Sequence, residues 1–465
     1  MAISQNLPLK RISTGIIPFF TTRIQALSLA LVKPTDAASL ATFRVLFGAI
    51  MVWEVYRYHV FNRIPYYYLA PRFFFTYELF PFVSPLPGQW MYVVFFVMGL
   101  AALGVALGFF YRIATALFFL SYTYVFLLDK AQYNNHYYLI ILLAFLFLLT
   151  DAHRWASIDQ KLHPNLRAEF VPYWHLFILR IQIVIVYVYA GIAKINVDWL
   201  ATEPMRDWLQ ARSSYPLVGQ YFTTEWMVYL FTYGGLMFDL SIGFLLLWRR
   251  TRLLAFIGLL FFHLMNKWLF SIGVFPYLMI ATTILFVDSG WPRRILRSAK
   301  LSLPKVAPKR VMDYRLVALG FVTVFLALQI LIPLRHWLYP GNVAWSEEGH
   351  RFSWRMKLRD KEARFAIYVP NPQTNERWAI DMRQDLTDRQ ISKMATRPDM
   401  MIQYVHFLKG KLEQAGLENP VIQVDSWASL NGLDYEQMID PTVNLAGAPL
   451  NVFAPSPWIL PMSGW

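Results

Sequence analysis

The stretch VYVYAGIAKINVDW, residues 186–199, sets one lysine, Lys194, at the end of a long apolar run. Two readings of that amine are open. It anchors the run by lying along apolar surface with its charge in water, or it is a base, because an amine withdrawn from water loses its proton more easily and can take one from a substrate. A second stretch, DKAQYNNH at 129–136, gathers Asn134, Asn135 and His136 at the start of another apolar run. These residues read as a helix cap, or as an Asn–His pair that donates hydrogen bonds to a developing oxyanion. His263, with Asn266 and Lys267, lies in a third run, and His336 follows a fourth. A lone histidine in such a run also serves as a hydrogen-bonding link between helices. Asp239, in TYGGLMFDLSIGF, reads as part of a structural polar network, with Gly234 and Gly235 allowing close helix packing.

The chain has no HExxH, P-loop or GxSxG pattern, and its 9 histidines are scattered, so no metal site is expected. Lysine, histidine and asparagine at a lipid-facing edge suit a lipid-soluble substrate with an acidic hydroxyl, such as a hydroquinone. An aromatic content of 17% fits a quinone ring. With 0 cysteines, disulfides, zinc–thiolate sites and a cysteine nucleophile are excluded.

The elements that position these residues are membrane helices. Of the 465 residues 57% are hydrophobic and 15% charged, against about 25% charged in soluble domains. The net charge of +14 sits in short basic clusters between apolar runs, which is a topology signal rather than a nucleic-acid surface. Nine spans are expected, near 40–60, 89–109, 112–129, 136–151, 173–194, 226–248, 252–270, 272–288 and 314–334, several of them short enough for tilt or re-entry. With the N-terminus inside, the inner segments hold about eighteen Lys and Arg, Arg249, Arg250, Arg252, Arg293, Arg294, Arg297 and Lys300 among them, and the outer loops about eight. This orientation brings Asn134–His136, Lys194, His263 and His336 to the outer membrane face. It divides the chain into a basic cytoplasmic segment at 1–39, which includes an interfacial helix, a transmembrane domain at 40–336 and an outer soluble domain at 337–465.

In the last segment RFSWRMKLRD, EARFAIYV, ERWAIDM and VIQVDSWASL alternate like strands. Between them Thr387 and Gln390 fit a capping box, Pro398 divides two helices and Gly416 is a natural stop. The fold class expected is a mostly α polytopic membrane protein with a C-terminal extracytoplasmic α+β or β-sandwich domain.

From about residue 35 to about residue 450 the chain resembles the vitamin K-dependent γ-glutamyl carboxylases and their bacterial relatives with the same HTTM-type membrane domain. The resemblance is carried by DKAQYNNHYYL (129–139), AFLFLLTDAHRWASID (144–159), LRIQIVIVYVYAGIAKINVDW (179–199), GGLMFDLSIGFLL (234–246), FHLMNKWLFSIGVFPYLM (262–279), RFSWRMK (351–357) and VDSWASLNGLDYEQMIDP (424–441). It implies an enzyme that oxygenates reduced vitamin K, a phylloquinol or menaquinol, to its epoxide and uses the strong base so generated to remove a γ-proton from glutamate, after which CO2 adds. The cofactor set implied is that quinol with O2 and CO2 and no metal. The partners implied are membrane lipid, the quinone and a glutamate-containing peptide or protein, with no nucleic acid. Residue by residue, the family's base falls at Lys194 and its Asn–His pair at Asn135 and His136. Asn134, His263, His336, Trp354, Met356 and Arg359 are expected to bind quinone or substrate. A lysine cannot itself remove a glutamate γ-proton, so the cofactor must supply that chemistry while the protein positions it.

Departures bear on the peptide half of the reaction. Gln437 and Thr442 flank Asp440–Pro441 where the family has arginines that handle the acidic substrate, and Arg359 and Lys361 are basic replacements after FSW. The family's disulfide and the long C-terminal extension of the animal enzymes have no counterpart here. Two further readings therefore stand beside the carboxylase: a quinol epoxidase that carboxylates no peptide, and a silent membrane scaffold, which has no need of a lysine base. The absence of a eukaryotic retention signal fits a bacterial inner membrane.

Overall fold

The computed structural model describes residues 16–298, 314–371, 374, 376–451 and 453–463. The extreme N-terminus and Lys300 lie outside them. The membrane part contains α1 (Ile16–Val32), α2 (Ala38–Val60), α3 (Trp90–Leu107), α4 (Tyr111–Leu127), α5 (Asn135–Leu149), α6 (Trp174–Ala193), α7 (Glu225–Leu247), α8 (Arg252–Phe270), α9 (Phe275–Thr282) and α10 (Arg315–Leu334). Helix α1 packs on α10, α2 to α5 pack in succession, and α6 packs on α7.

Among the described residues 6 helices are long and apolar enough to cross a membrane: α2, α3, α6, α7, α8 and α10. The other three expected spans are shorter. Helices α4 and α5 have 17 and 15 residues, short of the roughly 20 that span a hydrocarbon core at 1.5 Å per residue. The segment expected as a span at 272–288 is an 8-residue helix followed by a 3-residue 3₁₀ turn. Ser271 (φ 50°) terminates α8 in the left-handed region and Pro276 restarts the chain as α9.

Glycines decide the closest helix contact at the site. A Cβ on Gly191 of α6 would fall 2.9 Å from the backbone nitrogen of Leu240 on α7, and one on Gly243 of α7 would fall 3.2 Å from Val184 Cα. These two residues permit the close approach that the sequence assigned to Gly234 and Gly235. A Cβ on Gly235 would meet nothing within 4 Å, and one on Gly234 only Leu230 Cδ1 at 3.8 Å.

The C-terminal region is α+β rather than a sandwich. Strands β1 (Lys361–Pro370), β2 (Arg377–Ala379), β3 (Gln423–Leu430) and β4 (Glu436–Gln437) form one antiparallel sheet in the order β2-β1-β3-β4. Ile367, Val369, Val424 and Ala428 bury one cluster with Met400, Met401, Tyr404 and Val405. The last four lie on α12 (Pro398–Gln414), which follows α11 (Asp388–Ala395). The Thr387–Gln390 capping box starts α11, and Pro398 opens α12.

RFSWRMKLRD is not a strand before Lys361. Phe352 (φ 62°), Trp354 (φ 55°) and Lys357 (φ 50°) all lie in the left-handed region, at a cost of roughly 1–3 kcal/mol each. Alternation cannot send these side chains where they go: Trp354 into the core, Met356 and Lys357 onto a cavity wall, and Arg359 to Glu347.

Lys361 opens β1 with its amine buried, donating to the carbonyls of Trp345 and Thr396. A neutral amine has two N–H groups, and both are satisfied. Burial pushes this amine down to about 7 from 10.5. Between those values the unfolded chain binds a proton that the folded chain does not, so stability from this group rises with pH across that window; below it the buried charge is a full penalty. Lys361→Met is expected to flatten the rise in melting temperature between about pH 7 and about pH 10. Equal pH slopes in both proteins would refute this.

Candidate active site

Lys194 follows directly on α6, and the Gly191 contact brings it against α7. Its Nζ donates to Asp239 Oδ2 at 2.5 Å and to Ala190 O at 3.3 Å. Both side chains are buried, at 9% and 6% exposure. The amine also sits 5.2 Å from the ring centroid of Trp199. That indole is fixed by its Nε1 donating to Thr232 O at 3.1 Å, and Asn196 accepts from the Trp199 backbone at 3.0 Å. The KINVDW sequence is thus a short capped turn that places an indole over the amine. Asp198 in the same turn accepts from Asn431 of the C-terminal region at 2.7 Å.

Lys194 and Asp239 line an apolar cavity of about 1010 Å³ with Tyr187, His263, Asn266, Phe275, Met356 and Lys357. His263 Nε2 shares a hydrogen bond with the Tyr187 hydroxyl at 2.7 Å. Its Nδ1 is buried with no hydrogen-bond partner among the described residues. Lys357 Nζ lies 4.1 Å from the Trp208 ring centroid and 5.1 Å from that of Phe270. A buried amine–carboxylate pair, a histidine with one free ring nitrogen and aromatic walls suit a flat, apolar molecule with ionisable hydroxyls. This chemistry fits a reduced quinone.

Of the expected site residues, Lys194, His263 and Met356 meet on this cavity wall. His136 lies one aromatic layer behind it: its ring is 5.9 Å from Phe275, which packs at 5.8 Å against His263 and lines the cavity. Asn135 accepts from the Tyr133 hydroxyl at 2.8 Å and donates to Arg355 O at 3.0 Å, holding the 351–357 segment against α5. Asn134 occupies the N-cap position of α5, but its side chain makes no capping bond and donates to Gln132 O at 3.2 Å. His336 bonds through Nδ1 to Pro333 O at 2.8 Å and backs onto Gly349; it does not line the cavity.

Trp354 is 0% exposed and stacks on Tyr138 with ring centroids 5.0 Å apart. Trp354→Ala is expected to cost about 3–5 kcal/mol by leaving a core void, while Trp354→Phe keeps the stack and most of the stability. Thermal unfolding of the two variants checks this ordering.

Arg359 is ion-paired with Glu347 and reaches His350 Nδ1 at 3.1 Å. It belongs to a cationic cluster with Arg355, Lys393 and Arg397, none of which lines the cavity. Burial, then the neighbouring Arg397 and Arg389, push Lys393 down to about 8, and burial with Arg359 beside it pushes Arg355 down to about 10. An arriving carboxylate would relieve this crowding of like charge.

Sequence reasoning missed Tyr187, Lys357, Arg355, Lys393 and Arg397, and read Asp239 as structural. Asp239 was legible as an intramembrane carboxylate, which requires a cationic partner, but the partner sits 45 residues away. Tyr187 carried no signal beyond an apolar run.

Residues 32–291, more than half of the chain, match the HTTM domain, and residues 314–464 match the vitamin K-dependent gamma-carboxylase lumenal domain. No solved structure matches the chain. The membrane helices and these two matches together make the protein an integral membrane enzyme of the carboxylase kind with an extracytoplasmic region, and the chain belongs to the vitamin K-dependent γ-carboxylase family.

Proposed function

We propose that this protein couples oxygenation of a reduced vitamin K to carboxylation of glutamate, with the buried Lys194–Asp239 pair as the base that starts the reaction. The observation that carries this reading is that pair on the wall of a large apolar cavity. Bound reduced vitamin K supplies, as it is oxygenated to its epoxide, a base strong enough to remove a glutamate γ-proton so that CO2 can add. The chain's own part is to bind, orient and move the first proton. Whether the pair begins as ammonium and carboxylate or as amine and carboxylic acid, taking up a hydroxyl proton leaves the same state: an ammonium beside the new anion and a protonated Asp239. Neither starting arrangement leaves a net charge in the apolar wall, which keeps the resting site inexpensive to bury. His263 Nδ1 is the second polar contact for the ring, held in place by Tyr187. Phe238, Phe262 and Phe275 exclude water, and His136 supports Phe275 from behind.

Arg355, Arg359, Lys393 and Arg397 are the groups we assign to the carboxylate of the acidic substrate. Trp354 and Asn135 position Met356 and Lys357 between that cluster and the cavity, and Asn134 and His336 support the same junction. The active face is extracytoplasmic, with the N-terminus inside, in a bacterial inner membrane.

A second reading is epoxidation without peptide carboxylation. It is favoured at the Asp440–Pro441 turn, where the Thr442 hydroxyl is spent on Asp440 at 2.6 Å and Gln437 is paired in the sheet. One experiment separates the readings. Purified protein is given reduced vitamin K, oxygen, labelled CO2 and a glutamate-rich peptide. Epoxide with labelled peptide supports the carboxylase, epoxide alone supports the second reading, and no epoxide from folded protein refutes both.

A further inference from the structure

Three glycines line the cavity with at most one atom each near where a Cβ would stand. Gly234 and Gly235 on α7 and Gly258 on α8 all face it. A Cβ on Gly235 would meet no atom within 4 Å, and one on Gly258 only Phe238 Cε2 at 3.9 Å. A helical glycine is less favourable than alanine by about 1 kcal/mol, and in membrane helices it commonly permits close helix approach. Here that approach is made by Gly191 and Gly243 instead, so these three leave open space.

The space borders exposed apolar residues of two membrane helices. The cavity is lined by Leu230 (56% exposed) on α7 and by Phe261 (67%) and Leu264 (47%) on α8. These exposed side chains stand on the same two helices as the three glycines, and the cavity is lined from both. The volume of about 1010 Å³ is at the top of the roughly 300–1,000 Å³ range for small-molecule pockets, more than a bicyclic ring alone needs. His263 Nδ1, buried and without a partner among the described residues, marks the polar end.

We propose that Gly234, Gly235 and Gly258 form a path between α7 and α8 that holds the polyprenyl tail of the quinone, so that tail recognition is a specificity element of this chain. The proposal rests on the quinone reading above, and its test has a readout that needs no turnover. The probes are an oxidised methyl-naphthoquinone with a polyprenyl tail and the same ring without one. Quenching of the protein's tryptophan fluorescence reports binding, since Trp199, Trp208 and Trp268 line the cavity. The proteins, in phosphatidylcholine nanodiscs, are wild type, Gly235→Leu, Gly258→Leu and the control Gly320→Leu. Gly320 lies on α10, outside the cavity, and its Cβ also meets nothing within 4 Å.

Filling the path with leucine displaces several tail methylenes. Gly235→Leu and Gly258→Leu are therefore expected to weaken binding of the tailed quinone by about 10-fold or more. Affinity for the tail-less ring stays within about 2-fold, and the Gly320→Leu control changes neither. Comparing variants with one quinone at a time removes differences in membrane partition. The proposal is overturned if the cavity variants weaken both probes equally, if they weaken neither, or if wild type binds neither. Tail-dependent binding without epoxide formation would sink the quinone-oxidation reading and leave the tail path standing. Epoxide formation with unchanged tail discrimination in the variants would do the reverse.

Discussion

Replacing Lys194 by alanine is expected to lower oxygen-dependent epoxide formation from reduced vitamin K by about 10²–10⁴-fold, the usual contribution of a positioned general base. The single variant also leaves Asp239 buried without its partner, and breaking a buried pair from one side costs about 3–5 kcal/mol. Loss of activity alone would therefore confuse chemistry with folding. The discriminating protein is Lys194→Met with Asp239→Leu, which replaces the pair by apolar side chains of similar volume. Such exchanges are often neutral or stabilising, so the double variant should melt at or above the wild-type temperature and make no epoxide. Asp239→Asn keeps the amine and one hydrogen bond but removes the group that shares its proton. Its rate should fall between those of wild type and the double variant. A folded double variant that makes epoxide at the wild-type rate would remove Lys194 from the mechanism.

Asp399→Asn is the second large effect. The Asp399 carboxylate accepts from Lys130 Nζ at 2.9 Å and from Arg351 Nη1 at 2.7 Å. Lys130 lies between α4 and α5, just before the Asn134–His136 group, and Arg351 opens the RFSWRMK segment. One carboxylate on α12 therefore ties the C-terminal region to both. Burial alone would push this carboxyl up, but Arg351 and Lys130 outweigh it and hold it well below its usual value of 3.8. A carboxyl depressed on folding contributes stability that is complete above its unfolded value and lost as pH falls below it. The asparagine variant should lose about 3 kcal/mol at neutral pH, the lower end for a broken buried pair because Asp399 is partly exposed. The loss should shrink in strong acid, where wild type gives up the same contribution. Activity should fall with it, because Trp354 and Met356 depend on the segment that Arg351 anchors, and Asp399→Glu should recover part of both. Unchanged stability in the asparagine variant would show that the two cations find other partners.

Some of this was legible before any coordinates. Apolar run length marks nine spans, six of which are helices long enough to cross, because a hydrocarbon core demands near-continuous hydrophobicity; the runs at 112–129 and 136–151 form helices too short to qualify. Capping chemistry marks Thr387 and Gln390, because a capping box is satisfied within four residues. Run length misled at 272–288, where Ser271 and Pro276 interrupt the helix without interrupting hydrophobicity. Alternation misled at RFSWRMKLRD, because period 2 in the sequence does not prevent left-handed backbone at Phe352, Trp354 and Lys357.

By itself, the sequence determined that this is a helical membrane protein with a strand-containing C-terminal region, left open between α+β and sandwich, and its motifs determined the resemblance that the family matches bear out. Those properties follow from local chemistry: hydrophobic run length, charge between runs and motif residues close together in the chain. Tertiary structure alone decided that Asp239 is the partner of Lys194, that Tyr187 holds His263 and that Phe275 stands between His263 and His136. It also decided which glycines close a helix contact and which leave a cavity open. These facts depend on which faces of distant helices meet. At Gly191 of α6 the backbone of α7 comes so near that one additional carbon would collide with it.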